Sequence, residues 1–412
     1  MEKKIVYIGN FSFPDKNAAG KRVYNNGLAL KKAGYTVSFI GKAFQREEKS
    51  TKPKYFDDFK YYELFLEKKK LKDQLFSSKY LYREILACID DIGIKNIKFI
   101  ILYGELSNSL FNLKLIKYFQ NKKIKVIVDT VEWWVESNKG FIFRNIKNIN
   151  TKILMRKVNL KADGLITISS FLSDFYLSKE KKTLIIPPLT NIKDNKYLKK
   201  NKNSSSDTVE IFYSGIPFRE GIKNISEKAM KDRLDLAIEL VNLVRLKNEA
   251  KNKIINFHIY GIDYDSYLYS IPKHKALLKS ANNEWLFFHG KTSNDEVIQD
   301  ILDYDYSILI RDNGLVTNAG FSTKLSESIS LMKPVITTNV GDANKYIVNK
   351  KTGLLLDTEI NDNNLLENAE KIATFLQQYS ISDSEKKYFE VFDYNKYSDE
   401  MKGFFEELLE FG

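Results

Sequence analysis

Short apolar runs that end in a turn alternate along this chain with amphipathic stretches of helical period. That rhythm is its strongest constraint. Ile5–Ile8 runs into Gly9-Asn10 as a buried strand opening a loop. A helical stretch follows with Val23, Gly27 and Leu30 on one face, Gly34 stops it, and Thr36–Ile40 reads as the next strand. Further strands are predicted near Phe99–Leu102, Val126–Val128 and Leu165–Ile168. A polar stretch from Asn191 to Asp207, with Asn203-Ser204-Ser205-Ser206, has the composition of a linker.

Beyond it the rhythm restarts. Strand Ile211–Tyr213, helix Lys231–Leu246, strands Phe257–Tyr260 and Leu286–Phe288, and helix Asp295–Leu302 come first. Strand Ser307–Ile310, helix Ser322–Met332 and strand Val335–Thr338 complete the unit, and Tyr394–Leu409 is a last amphipathic helix. Short strands alternating with helices make βαβ units and parallel sheets. Two such halves predict a cleft between them, with ligands at the strand C-termini.

The 412 residues are long enough for two or three domains, and 43% hydrophobic content supports sizeable cores. The balance of 65 basic and 53 acidic side chains leaves a net charge of +12, which fits an anionic membrane face, phosphorylated substrates or a lysine-rich proteome. The lysine runs Lys68–Lys70 and Lys199–Lys202 lack the interleaved aromatic residues of a stacking platform, so nucleic acid is not an expected partner. Cys88 is the only cysteine, which excludes an intrachain disulfide and a cysteine-based zinc cluster. The apolar run after Met1 is too short for a signal peptide, and no uncharged stretch reaches membrane-spanning length. The expected location is the cytoplasm.

Two phosphate-loop patterns fail. Gly9 has no partner glycine at residue 11, and Gly290-Lys291-Thr292 would need a glycine where Trp285 stands. Asp263-Tyr264-Asp265 and Asp303-Tyr304-Asp305 have a spacing that suits divalent cations, but read as turn or helix-end aspartates. His258, His274 and His289 have no metal-binding spacing and read as core-edge or surface residues, so no metal site is expected.

The richest stretch runs from Arg311 to Ile336. Leu325, Ile329 and Met332 form the buried face of a helix ended by Pro334, with Ser322 or Thr323 as N-cap and Gly320 turning the backbone ahead of it. Such a terminus offers free N–H groups to an anion. Glu327 sits a turn further in, as a solvated carboxylate or as an acceptor for ribose hydroxyls.

This stretch resembles the C-terminal signature of retaining GT-B glycosyltransferases of the large glycosyl transferases group 1 family (family four). That pattern has two glutamates eight residues apart, then G-x-P-V-I. Glu327 matches the second glutamate, whereas Ala319 stands in place of the first, ahead of Gly320-Phe321. The form resembles a subset from capsule and exopolysaccharide clusters. Other elements match in order: Asn17–Val23, Asp129–Trp133, Leu165–Leu172, Pro187–Leu189, Tyr213–Gly215 and Lys231-Asp232, with a long insert between the last two.

The resemblance implies an α/β fold of GT-B type, two Rossmann-like domains facing a central cleft. The expected domains are 1–190 on the acceptor side, a linker over 191–208, a nucleotide-sugar domain over 209–385, and a helix in 386–412 crossing back. It implies that Glu327 holds the ribose and that N–H groups near Ser322, Thr323 and Lys324 hold the diphosphate, with Leu325 and Gly215 in the same set. Lys231 and Arg219 match the family's basic pair on the diphosphate, with Lys324 and Arg311 as secondary candidates and Arg219 otherwise a surface loop charge. Gly20 allows close backbone approach. Glu132 is the acceptor-side candidate, or otherwise a strand-end carboxylate.

The implied reaction transfers a hexose, with retention and without metal or cofactor, from a nucleotide diphosphate sugar, a UDP-sugar being favoured. Its acceptor is a growing, lipid-linked surface glycan at the inner leaflet. Ala319 keeps two alternatives open: a catalytically silent GT-B-like partner subunit, and a sugar-nucleotide epimerase.

Overall fold

Continuous apolar runs become central strands where both sheet faces are covered, and this chain builds two such sheets. The computed structural model describes residues 3–43, 52–65, 74–133, 141–193, 207–249, 253–282, 284–348 and 350–410. Most of the expected linker (194–206) and both lysine runs lie outside them.

The first sheet has eight strands: β1 (Lys4–Gly9), β2 (Thr36–Lys42), β3 (Lys54–Phe56), β4 (Phe59–Leu64), β5 (Ile97–Tyr103), β6 (Lys125–Thr130), β7 (Gly164–Thr167) and β8 (Thr183–Ile185). Their order is β3-β4-β2-β1-β5-β6-β7-β8, parallel except for the β3–β4 hairpin. The second sheet has six: β9 (Thr208–Ser214), β10 (Ile254–Tyr260), β11 (Leu286–Gly290), β12 (Tyr306–Leu309), β13 (Val335–Thr338) and β14 (Gly353–Leu356). They lie in the order β11-β10-β9-β12-β13-β14 and every pairing is parallel. The fold is mixed α/β with two parallel-sheet domains.

The chain divides into two compact units. The first comprises Met1–Leu189, Ala319–Phe321 and Tyr394–Gly412; the second comprises Thr190–Asn318 and Ser322–Asp393. One core of the first unit lies between β1, β2 and β5 and the helices Ala18–Lys32 and Ser398–Glu410, with Phe39, Phe99, Met401 and Phe405 fully enclosed. Gly27 is small there because a Cβ would stand 2.5 Å from the Phe39 ring. The opposite face packs Ile85, Ile100, Leu115 and Val126.

Three helix boundaries depart from the sequence expectation. The helix expected from Lys231 begins at Leu234. The N–H groups of Lys231 and Asp232 are drawn to the Pro217 carbonyl and that of Arg233 to Ile310, which holds this segment as a loop. The helix expected over Ser322–Met332 spans Thr323–Ser330 and unwinds before Pro334 is reached, since Met332 adopts φ +59°. The last helix runs Ser398–Glu410, preceded by a separate short turn at Tyr394–Lys396.

Candidate functional site

In each sheet the chain works outward to one side and then returns to the other. In the second sheet the reversal falls between β9 and β12. Loops leaving the C-terminal ends of two such strands part there, and open α/β sheets bind ligands at that position. Gly215 follows β9 and Arg311 follows β12, while Lys324 lies in the first turn of helix Thr323–Ser330, the second helix between β12 and β13.

Gly215 has φ +146°, and a Cβ there would stand 1.9 Å from Lys324 Cε. Gly261, at φ +98°, is equally constrained, since its Cβ would lie 2.4 Å from the Gly215 carbonyl oxygen. These glycines let the Lys324 side chain cross the end of β9. Its ammonium lies 2.5 Å from Asp232 Oδ2 and 5.4 Å from the centre of the Tyr213 ring. The Tyr213 hydroxyl donates to the same carboxylate oxygen at 2.8 Å. Arg311 Nε approaches Asp232 Oδ1 at 3.4 Å, an ion pair without a directed hydrogen bond.

Asp232 is 1% exposed. Burial raises its pKa, but the Lys324 and Arg311 charges and the bonds from Lys324 and Tyr213 outweigh that and hold the carboxyl below its ordinary value. Burial pulls the Arg311 guanidinium below its usual range more than Asp232 restores it, and it remains charged near neutral pH. One carboxylate therefore faces two cations.

Helix Thr323–Ser330 starts beside this group. Its first N–H groups have no carbonyl one turn back within the helix. Ser322 occupies the N-cap position, yet its hydroxyl makes no capping bond, contrary to the usual role of serine there. Glu327, one turn in and half-buried, lines a pocket with Tyr213, Ser214, Lys324 and Ser328. Leu325 is buried and serves the helix packing.

The second unit thus brings Gly215, Arg311, Lys324 and Glu327 into one neighbourhood, with Ser322 and Thr323 at the helix start. Arg219 and Lys231 lie in the loop between β9 and helix Leu234–Glu249, both exposed. Sequence reasoning singled out Lys231 and passed over its neighbour Asp232, the residue around which the cations assemble. Its only sequence signal is an acidic residue flanked by basic ones, which is common on surfaces.

Gly20 and Glu132 belong to the first unit. Gly20 sits in the first turn of helix Ala18–Lys32, where Asn17 Oδ1 accepts its N–H at 2.7 Å. A Cβ there would meet the Ser12 carbonyl oxygen at 2.1 Å, so loop packing already requires glycine. Glu132 is exposed two residues beyond β6. Nearby, sequence reasoning missed a buried ion pair. Arg22 forks onto Asp129 at 2.8 and 3.2 Å and donates to the carbonyls of Ile186 and Pro187.

Asp263 caps helix Tyr264–Ser270 through Ser266 N–H, the helix-end role expected for it. His274 is buried between Tyr267 and Glu239, whereas His258 joins Glu210 and His289 at the margin of the second sheet. Among the described residues, no three His, Cys, Asp or Glu side chains are grouped to hold a metal ion.

Two units, each built on a parallel α/β sheet, define the GT-B fold class. Residues 226–388 match the family described as glycosyl transferases group 1. Carrying that domain on this frame, the chain is a glycosyltransferase. Sucrose-phosphate synthase from Thermosynechococcus elongatus superimposes with a TM-score of 0.66 at 13% identity, over 100% of both chains. An E. coli structure described as trehalose-6-phosphate bound with UDP-2-fluoro glucose gives 0.62 at 9% identity, over 98% of each chain. Anabaena HepE in complex with UDP gives 0.58 at 12%, over 98% of this chain and 100% of that one. No curated protein matches the chain in sequence.

Proposed function

We propose that the chain moves a hexose from a UDP-sugar, with retention, to a growing lipid-linked surface glycan on the cytoplasmic face of the membrane. The observation that carries this reading is the pairing of Lys324 and Arg311 around Asp232, beside the start of helix Thr323–Ser330. That grouping presents excess positive charge and unused N–H donors where a diphosphate leaving group gathers negative charge. UDP and UDP-2-fluoro glucose in the Anabaena and E. coli structures support a uridine donor.

In this reading Glu327 accepts the ribose hydroxyls, the N–H groups at Ser322–Lys324 hold the diphosphate, and Leu325 and Gly215 shape the pocket. Lys231 and Arg219 close over the phosphates from their exposed loop, and Gly20 and Glu132 serve the acceptor side. The bond from the sugar's anomeric carbon to the phosphate oxygen breaks as the acceptor oxygen bonds to the same face. The acceptor's proton passes to the departing phosphate, so no histidine or metal is needed.

A thermal-shift panel with UDP, GDP, ADP, CDP and dTDP tests the donor. At 100 times its dissociation constant a ligand adds about 2.7 kcal/mol to the folded state. A rise with UDP alone supports the proposal, and no rise with any diphosphate sinks it. The latter result favours the silent-subunit reading, whose support is Ala319, a fully buried methyl in place of a carboxylate.

Glu327→Ala is expected to weaken UDP binding by about 1–3 kcal/mol, through the loss of charged hydrogen bonds. Titration calorimetry giving an unchanged affinity would remove Glu327 from the site. Lys231→Ala is expected to lower kcat by about 10²-fold or more, the scale for losing one charge-stabilising group. Its melting temperature should stay at the wild-type value, since Lys231 is exposed. Wild-type turnover would assign that ammonium to solvent.

A further inference from the structure

The first sheet has its own reversal of strand order, between β1 and β5, and a hollow lies beside it. Asn10 enters it from the end of β1, Ile40 and Lys42 from the end of β2, and Leu64 from the end of β4. Leu81 of helix Gln74–Ile92 and Leu106, after β5, complete the wall. Such strand ends are where open α/β sheets take ligands. The hollow measures about 250 Å³, below the ~300–1,000 Å³ of drug-sized sites, so it suits a group the size of a single sugar ring.

Its wall is mostly aliphatic and fixed in shape. Ile40, Leu64 and Leu81 belong to the buried core on this face of the sheet, and Leu106 packs against it. Among the described residues no aromatic ring lines the hollow, so a nucleobase finds nothing to stack on. Lys42 supplies the charge. It follows Ile40 by two residues, which puts both side chains on one face of β2, and it stands opposite Leu64. It is half-buried, and among the described residues its ammonium has no acidic partner. The lysines of the adjoining strands are neutralised, Lys54 by Glu63 and Lys60 by Asp91, each at 2.7 Å. Glu105, the acidic neighbour of Leu106, is engaged by the Asn150 amide. The other polar side chain is that of exposed Asn10, whose amide can both donate and accept.

We infer that this hollow is an acceptor subsite for an acidic sugar, with Lys42 pairing its carboxylate or phosphate and Asn10 taking a ring hydroxyl. A half-buried ammonium without an internal counter-ion favours an anionic oxygen brought by the ligand. A neutral sugar seated there would strip water from the ammonium and return no charge, which sets the discrimination. The aliphatic wall meanwhile receives the C–H edge of the ring. The inference rests on the proposed sugar transfer and adds to it the charge of the acceptor.

The test is titration calorimetry of the full chain at low salt, with UDP titrated in parallel. Methyl glucuronide is compared with methyl glucoside, methyl galacturonide with methyl galactoside, and glucose 6-phosphate with glucose. At least one acidic sugar is expected to bind about tenfold more tightly than its neutral counterpart, the scale for one charged hydrogen bond. A uronide showing the preference identifies a carboxylate, and glucose 6-phosphate showing it identifies a phosphate. Lys42→Met should erase the preference, and Lys42→Arg should keep most of it, with melting curves checking that both variants fold. Equal binding of acidic and neutral sugars, binding of neither, or a preference that survives Lys42→Met overturns the inference. Loss of UDP binding with acidic sugars still bound would sink the donor reading and leave this subsite standing.

Discussion

Asp232→Ala is expected to lower the unfolding free energy by about 3–5 kcal/mol, the usual loss when one partner of a buried ion pair is removed. The substitution strands Lys324 and Arg311, and leaves the Tyr213 hydroxyl without its acceptor. Urea denaturation followed by a probe in the second unit measures it, because a chain of two units need not unfold in one step. Asp232→Asn keeps the size and the Tyr213 bond, so its loss isolates the charge. The pH dependence carries a definite sign. A carboxyl held below its unfolded value of 3.8 contributes fully above that pH and loses its contribution as pH falls through the folded value. The gap between wild type and Asp232→Ala should therefore narrow below pH 3.8. A gap that stays constant down to strongly acid pH would place the stabilisation in packing instead of charge.

Asp129→Ala should be at least as damaging. Asp129 is fully buried and accepts from Arg22, Tyr7 and Asn26. Its removal leaves a buried guanidinium with carbonyl partners alone, a loss of about 3–5 kcal/mol by the same rule. Replacing both partners together, Arg22→Met with Asp129→Leu, should lose much less than either alanine substitution alone. A double variant as unstable as the single ones would show that the Arg22 bonds to Ile186 and Pro187 matter more than the ion pair.

The sheets were legible wherever a strand is apolar on both faces. Ile5–Ile8 needed only a run of large apolar residues and a following glycine to be placed, and Phe257–Tyr260 breaks that pattern only at half-buried His258. The hairpin β3–β4 was not legible, because Lys54–Phe56 is largely exposed and the buried residues of Phe59–Leu64 are interrupted by lysine and glutamate, which breaks the apolar run. β8 escaped notice as three half-buried residues. The helix start at Thr323 could be read from local chemistry, as could the proximity of Lys324 and Glu327 on one helix.

Asp232 could not be read in this way. Its partners come from 19 residues earlier and 92 later, so its burial follows from strand order and not from its neighbours in the chain. The Arg22–Asp129 pair spans 107 residues and was hidden for the same reason. The loop at Lys231–Arg233 was misread as helix, because the carbonyls that capture its N–H groups belong to Pro217 and Ile310.

The division of the first unit has a consequence for synthesis. Its sheet is finished by Leu189, yet helix Ser398–Glu410 closes one of its cores with Met401, Phe404, Phe405 and Leu408. Roughly 200 residues must be translated between the two, which at ribosomal speed is about 10–40 s. Throughout that interval the surface around Tyr35, Phe99 and Ile166 is uncovered. Yield should therefore depend on holdase chaperones and fall when the segment after Leu189 is translated more slowly. Supplying the terminal helix early, by circular permutation, should reduce aggregation of nascent chains.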